Sequence, residues 1–175
     1  MSKTKLLLIG PVPPPIGGTS VLFQHLQSEV KLRGEFNFKI INTANPQNRL
    51  IYLPFSLAWQ FLLVLLFLPW ANVVSLHAST QRFVVFGGIL AWTCRLVRKP
   101  LVARVFGGSL YAVGLRLSGW RFACYRSIMK ADLVLVETLI TYLFSNDLEK
   151  YAGKIYIASS DKKFVKPIKE IQTFS

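Results

Sequence analysis

The chain has 175 residues, which is room for one domain with a real core. Its composition is 52% hydrophobic with a mean hydropathy of +0.41, high for a freely soluble domain and low for a protein of many membrane spans. Two cysteines, Cys94 and Cys124, exclude a disulfide framework and a cysteine metal cluster, so reduced thiols in a cytosolic compartment are the plain reading, while the net charge of +13 points to polyanionic partners.

Met1–Lys5 runs directly into Leu6–Ile9, too short an apolar run for a signal-peptide core, so no export signal is expected. Lys5–Gly10 reads as a buried strand. Gly17–Lys31 carries Val21, Leu22, Leu26 and Val30 at helical spacing. Asn37–Asn42 is a second strand, Leu50–Pro69 an apolar helix, Asn72–His77 a third strand and Thr80–Val97 a helix. Leu101–Phe106 is a fourth strand closed by Gly107-Gly108, and Leu115–Lys130 a helix. Asp132–Glu137 is a fifth strand, Leu139–Tyr151 a helix stopped by Gly153, and Lys154–Ala158 a sixth strand. Strands of continuous Val, Ile and Leu are buried on both faces, as in a parallel sheet covered by helices. The alternation predicts an α/β class: a doubly wound, mainly parallel sheet of about six strands, spanning residues 1–158, with a basic tail or linker over 159–175. Ligands of such sheets sit beyond the carboxyl ends of the strands, which directs attention to the loops after Ile9, Leu76, Phe106 and Val136.

The first of these loops is Gly10-Pro-Val-Pro-Pro-Pro-Ile-Gly17-Gly18-Thr19-Ser20. Its prolines stiffen an extended segment. The paired glycines allow close backbone approach of a ligand at a helix start, where free amides and the helix dipole favour phosphate. A tight turn needing positive φ is the alternative. Thr19 or Ser20 is placed to cap the helix. The segment lacks the Gly-Lys-Ser/Thr of a P-loop and the Gly-x-Gly-x-x-Gly spacing of a dinucleotide fingerprint. His77, one of two histidines, stands at a strand's carboxyl end before Ala78-Ser79. It reads either as a satisfied strand-end histidine or as a group that bonds a sugar hydroxyl or shuttles a proton. Gly107 and Gly108 are a turn or a second point of backbone approach. Glu137 bonds a sugar or partner loop, or starts a helix. His25 falls mid-helix and reads as structural.

Lys5–Ser20 (KLLLIGPVPPPIGGTS), a strand leading through "G-x-x-P-P-x-x-G-G" into a helix, resembles the N-terminus of family 4 glycosyltransferases of the GT-B kind. Asn72–Ser79, Leu101–Leu110 and Ala131–Glu137 are similar, in order, to that family's "D-V-V-H-x-H", "H-G-G" and "A-D-x-V-I" strand ends, and Lys154–Ala158 resembles the strand leading to a second domain. The resemblance implies a Rossmann-like, acceptor-side half. It implies that Gly17 and Gly18, with Thr19, meet the donor diphosphate or the acceptor, and that His77 lines the reaction centre. A nucleoside diphosphate sugar is then the co-substrate, and neither cofactor nor metal is implied. The chain departs from the pattern at Asn72, Ser75 and Phe106, where the family has Asp, His and His. Ser159-Ser160-Asp161 stands in place of its "N-G-V-D" hinge, and its second, nucleotide-binding domain is expected from outside these residues or from a partner subunit.

Between Glu35 and Asp132 there is no Asp or Glu, but there are eleven Lys or Arg, in the most apolar part of the chain. Basic and apolar together favour an anionic membrane surface over nucleic acid, for which no motif is present. Leu50–Trp70 holds 21 residues without a charge. Pro54, Pro69 and Gln60 interrupt it, and the strand that follows must share a sheet with the first, so a buried or membrane-docking helix is preferred to a span. Arg95, Arg98, Arg116, Arg121 and Arg126 could then face headgroups. The expected protein is a cytoplasmic, peripheral, acceptor-side glycosyltransferase domain for a lipid-linked or polysaccharide acceptor. The rivals are a subunit of a split transferase, a truncated or non-catalytic anchoring module, and a small integral membrane protein.

Overall fold

The computed structural model describes residues 3–14, 16–44, 53–107, 110–137, 154–158 and 165–166. Strands are β1 (Thr4–Gly10), β2 (Phe36–Asn42), β3 (Val73–Ser79), β4 (Leu101–Phe106), β5 (Leu133–Val136), β6 (Lys154–Ala158) and β7 (Val165–Lys166). Helices are α1 (Gly18–Arg33), α2 (Leu53–Phe67), α3 (Thr80–Leu96), α4 (Leu110–Arg116) and α5 (Gly119–Ile128). The sheet order is β2-β1-β3-β4-β5-β6-β7, parallel except for β7, which pairs antiparallel with β6 at the edge. This is the doubly wound α/β fold expected from the alternation of strands and helices. The expected helix Leu139–Tyr151, the cap at Gly153 and most of the basic tail lie outside the described residues; Val165–Lys166 of that tail form β7.

Continuous apolar strands are buried from both sides, as their composition requires. Leu7, Ile9, Val74, Leu76, Ala103, Val105, Val134 and Val136 are all core residues. On one face of β3, Phe23 of α1 meets His77. On the other, Leu76 lies under Gly87 of α3. The chain order reverses direction between β1 and β3, so the loops leaving these two strands diverge to opposite faces and leave a crevice at their carboxyl ends.

Strand ends are tied to neighbouring backbone. Asn72 accepts from the Lys5 amide and gives its own amide to the Lys5 carbonyl, at 2.9 and 2.8 Å. Asp132 accepts from the Leu101 amide at 2.8 Å. Asn72 therefore does a register-setting job that needs an acceptor but no charge.

Three local expectations are corrected. The expected helix Leu115–Lys130 is two helices, because Ser118 is extended and Gly119 takes φ +57, a left-handed conformation that breaks the helical path. Helix α1 buries Phe23 and Val30 on its inner face while Val21 lies at the surface, so the ring, not the run of aliphatics, sets which way the helix faces. Neither Thr19 nor Ser20 is the N-cap. That residue is Gly17, with Ser20 Oγ 2.9 Å from both the amide and the carbonyl of Gly17.

Helices α3 and α5 cross at Gly88, where an added Cβ would stand 2.5–2.6 Å from the Cβ, backbone Cα and carbonyl oxygen of Cys124. No rotamer change relieves a backbone clash. Gly88→Ala is therefore expected to destabilise the fold by roughly 1–3 kcal/mol in urea unfolding. Gly18→Ala, which meets nothing within 4 Å, should leave stability unchanged or raise it by up to about 0.5 kcal/mol.

Candidate functional site

At the crevice between the ends of β1 and β3, α1 and α3 begin side by side. Their N-cap residues are Gly17 and Ser79, both extended. Gly17, Thr19, Ser79, Arg82 and Thr43 line one cleft of about 260 Å³. Neither helix carries an acidic residue in its first turn. The first-turn amides of a helix have no intrahelical acceptor, and two positive helix ends meet at this cleft, which Arg82 also lines. Arg82 is half-buried and its pKa is lowered by that burial, which leaves a cation poorly compensated by water. Such an arrangement binds an anion with several oxygens.

The glycines are informative for what does not require them. Gly17 has φ −156, which any residue adopts, and an added Cβ would come no closer than 4.0 Å to Ser20 Oγ. Gly18 is helical and open on that side. The reading of this pair as a turn needing positive φ is thus removed: neither backbone conformation nor packing asks for glycine here. The approach to this loop is built by Asn42 at the end of β2, whose Oδ1 accepts from Val12 and Ala44 amides at 2.9 and 2.8 Å. The Gly10 carbonyl accepts from the Thr43 amide at 2.9 Å.

His77 lies beneath this edge rather than on it. It is 4% exposed, its ring 5.2 Å from that of Phe23 and 6.1 Å from that of Phe106. Ser75 Oγ is 2.9 Å from Nε2, while Nδ1 is buried without a hydrogen-bond partner. Burial, reinforced by the Arg104 guanidinium, pushes its pKa down to about 3. Near neutral pH the imidazole is therefore uncharged. His25 is exposed on α1.

Glu137 is engaged by the protein itself. Its carboxylate pairs with Arg104 at 3.4 Å and accepts from the Gly107 amide at 3.3 Å. Gly107 has φ +102 and needs to be glycine for that turn. Glu137 and Gly107 thus brace the β4 loop. Gly108 lies outside the described residues. Arg82, Asn42, Thr43 and Ser79 were not singled out in the sequence. The signal for Arg82 was present: it is the basic residue in the first turn of the helix after the third strand. Among the described residues no three His, Cys, Asp or Glu side chains come together.

A second surface adjoins the cleft. Phe55, Trp59, Leu62 and Leu66 follow one stripe of α2 and are exposed, as are Ile89, Trp92 and Leu96 on α3 and Trp120 and Phe122 on α5. The opposite stripe of α2 packs into the core through Val64 and Leu68 just beyond its end. No helix among the described residues is long and apolar enough to cross a membrane.

The buried, neutral His77 makes stability depend on pH. Unfolded, it takes a proton near its ordinary value of 6.5; folded, it resists until about 3. The unfolded state therefore binds more protons between these values, and stability falls as pH drops through them, by about 1.4 kcal/mol per unit. Urea unfolding at pH 5 should give roughly 2 kcal/mol less than at pH 7 from this group, a difference that His77→Gln removes.

No protein-family profile matches the sequence, and no curated protein does. Among solved structures the chain is similar to Phytolacca americana UGT2 complexed with UDP-2fluoro-glucose and pterostilbene, with a TM-score of 0.49 and 9% identity over 88% of this chain and 52% of that one. The chain spans about half the length of that structure. No residue role passes between them at this identity.

Proposed function

We propose that the chain is the acceptor-side half of a nucleotide-sugar-dependent glycosyltransferase of the GT-B kind, working at a membrane surface. The reaction moves a sugar from a nucleoside diphosphate sugar to a hydroxyl of a lipid-linked or polysaccharide acceptor. The observation that carries this reading is the cleft: two helix N-termini, Arg82 and no carboxylate, beside glycines that the fold itself does not require. The likeness of Lys5–Ser20 to family 4 enzymes supports it independently.

In this reading the amides of Gly18 and Thr19 and the Arg82 guanidinium stabilise the charge that develops on the diphosphate as the sugar leaves. Gly17 serves differently, since its amide is held by Ser20. His77 acts as an uncharged hydrogen-bonding support of the reaction edge. Glu137, Gly107 and Gly108 shape the neighbouring loop. A second nucleotide-binding domain, in the same chain or on a partner subunit, supplies most contacts to the donor. The exposed stripes of α2 and α3 dock on anionic lipid, and Arg95, Arg98, Arg121 and Arg126 are the headgroup contacts, together with Arg116. A cytoplasmic, inner-face location follows from that chemistry.

A second reading, a docking module without catalysis, is favoured by the burial of His77. One experiment separates the two. UDP-, GDP- and ADP-sugars are offered to the protein with membrane lipid extract, and nucleotide release is followed. Release that falls at least tenfold in Gly18→Asp, which sets a carboxylate among the phosphate-facing amides, is the expected outcome. No release from any donor, with Gly18→Asp and the unaltered chain alike in every binding assay, would sink the transferase reading.

Membrane docking is tested by sedimentation with anionic vesicles. The chain should pellet at low salt and be released as salt rises. Trp59→Asp with Leu66→Asp should cut binding by about tenfold, since both side chains leave the interface. Undiminished binding by that double variant would place the docking surface elsewhere.

A further inference from the structure

Between α2, α3 and the start of α5 runs a groove of about 630 Å³, lined by Leu57, Ala58, Phe61, Val85, Phe86 and Ile89, with Trp120 at the α5 side. Its volume lies in the range of sites that enclose a small ligand. Its only charged lining residues are Arg82 and Arg121, and Gln81 is neutral. No carboxylate belongs to any of the three helices. Arg82 also lines the α1–α3 cleft. One residue, Arg82, therefore lines both the apolar groove and the α1–α3 cleft.

We infer that this groove holds the aliphatic chain of a phosphorylated lipid acceptor, with Arg82 and Arg121 on its phosphate. The inference rests on the transferase reading of the cleft and deepens it by naming the acceptor class. Charge complementarity selects the occupant. An apolar peptide helix would fill the groove but leave both guanidiniums without an anion. A sugar polymer would meet apolar walls with few hydrogen-bond partners. An amphiphile with one alkyl tail and a phosphate satisfies both parts at once. The exposed Trp120, which lines the groove, suits a mouth held at the depth where lipid headgroups meet their chains. The acceptor thus slides in from the bilayer without leaving its apolar surroundings. Its phosphate stops at Arg82, next to the leaving diphosphate.

The test uses the full chain and dodecyl phosphate below its micelle concentration, followed by calorimetry. Inorganic phosphate and dodecyl maltoside serve as the headgroup-only and tail-only comparisons. Dodecyl phosphate should bind at least about tenfold more tightly than either, because it alone engages both parts of the site. Arg82→Gln should weaken it about tenfold, as expected for loss of a charge-assisted hydrogen bond. Ala58→Trp, which fills the groove from α2, should abolish it, with folding confirmed by circular dichroism. Both variants should bind anionic vesicles within about twofold of the unaltered chain, since many exposed groups share that interaction. Equal affinity for dodecyl phosphate in Arg82→Gln overturns the assignment whether or not Ala58→Trp folds. So does inorganic phosphate binding as tightly as the amphiphile. If nucleotide release persists while dodecyl phosphate ignores Arg82→Gln, the groove is wrong and the transferase stands. If dodecyl phosphate binds as described and no donor releases nucleotide, the lipid site stands and the transferase reading fails.

Discussion

The packing of Phe23 against Gly10 holds the rest of the cleft in place. The ring is fully buried, and a Cβ on Gly10 would sit 2.7 Å from it. Only glycine lets the helix come this close to the end of β1. The same ring covers His77 on β3. One side chain thus spans the two strands between which the chain reverses direction, and it fixes where α1 begins. Because α1 begins there, Gly17 and Thr19 share a cleft with Ser79 and Arg82. A shift of the ring would move one positive helix end relative to the other, and the convergence that recognises an anion would be lost.

Around that wedge, electrostatics serve placement more than they serve binding. Asn42, Asn72 and Asp132 each spend a side-chain oxygen on the backbone of a neighbouring segment. Glu137 is spent on Arg104 and Gly107. Two of the described carboxylates, Asp132 and Glu137, are thus engaged inside the scaffold. Among the described residues no carboxylate lines the cleft, whose lining carries a single charge of positive sign. The sign of the lining is set as much by what has been kept out as by what is present.

The sequence made the fold legible because its strands are short, uniformly apolar and separated by helices of the right length; even Leu101–Phe106 begins and ends as read. The loop at Gly17-Gly18 was legible for the same reason, since glycine pairs at a strand-to-helix junction are a local signal. What remained hidden depends on distance in space. Nothing local shows that His77 would be roofed by Phe23 and Phe106, which follow from helix rotation and strand register. Nor does a one-dimensional pattern show that Arg82 lines two cavities. The break at Ser118-Gly119 was visible as Ser-Gly, but helical spacing on either side concealed it. The inward turn of Phe23, in preference to Val21, was decided by the space beside Gly10.

Helix α2 has a further consequence. It is apolar on all sides, and its one strongly polar interior residue, Gln60, is buried with its amide donating to Ser56 and its carbonyl oxygen unpartnered. In water, a helix normally knows which way to face because one side is polar. Here the inner and outer stripes differ little in chemistry, so rotation is specified by shape alone. Any charge added to the outer stripe would define the rotation better in water, because it would give the helix the polar side it lacks.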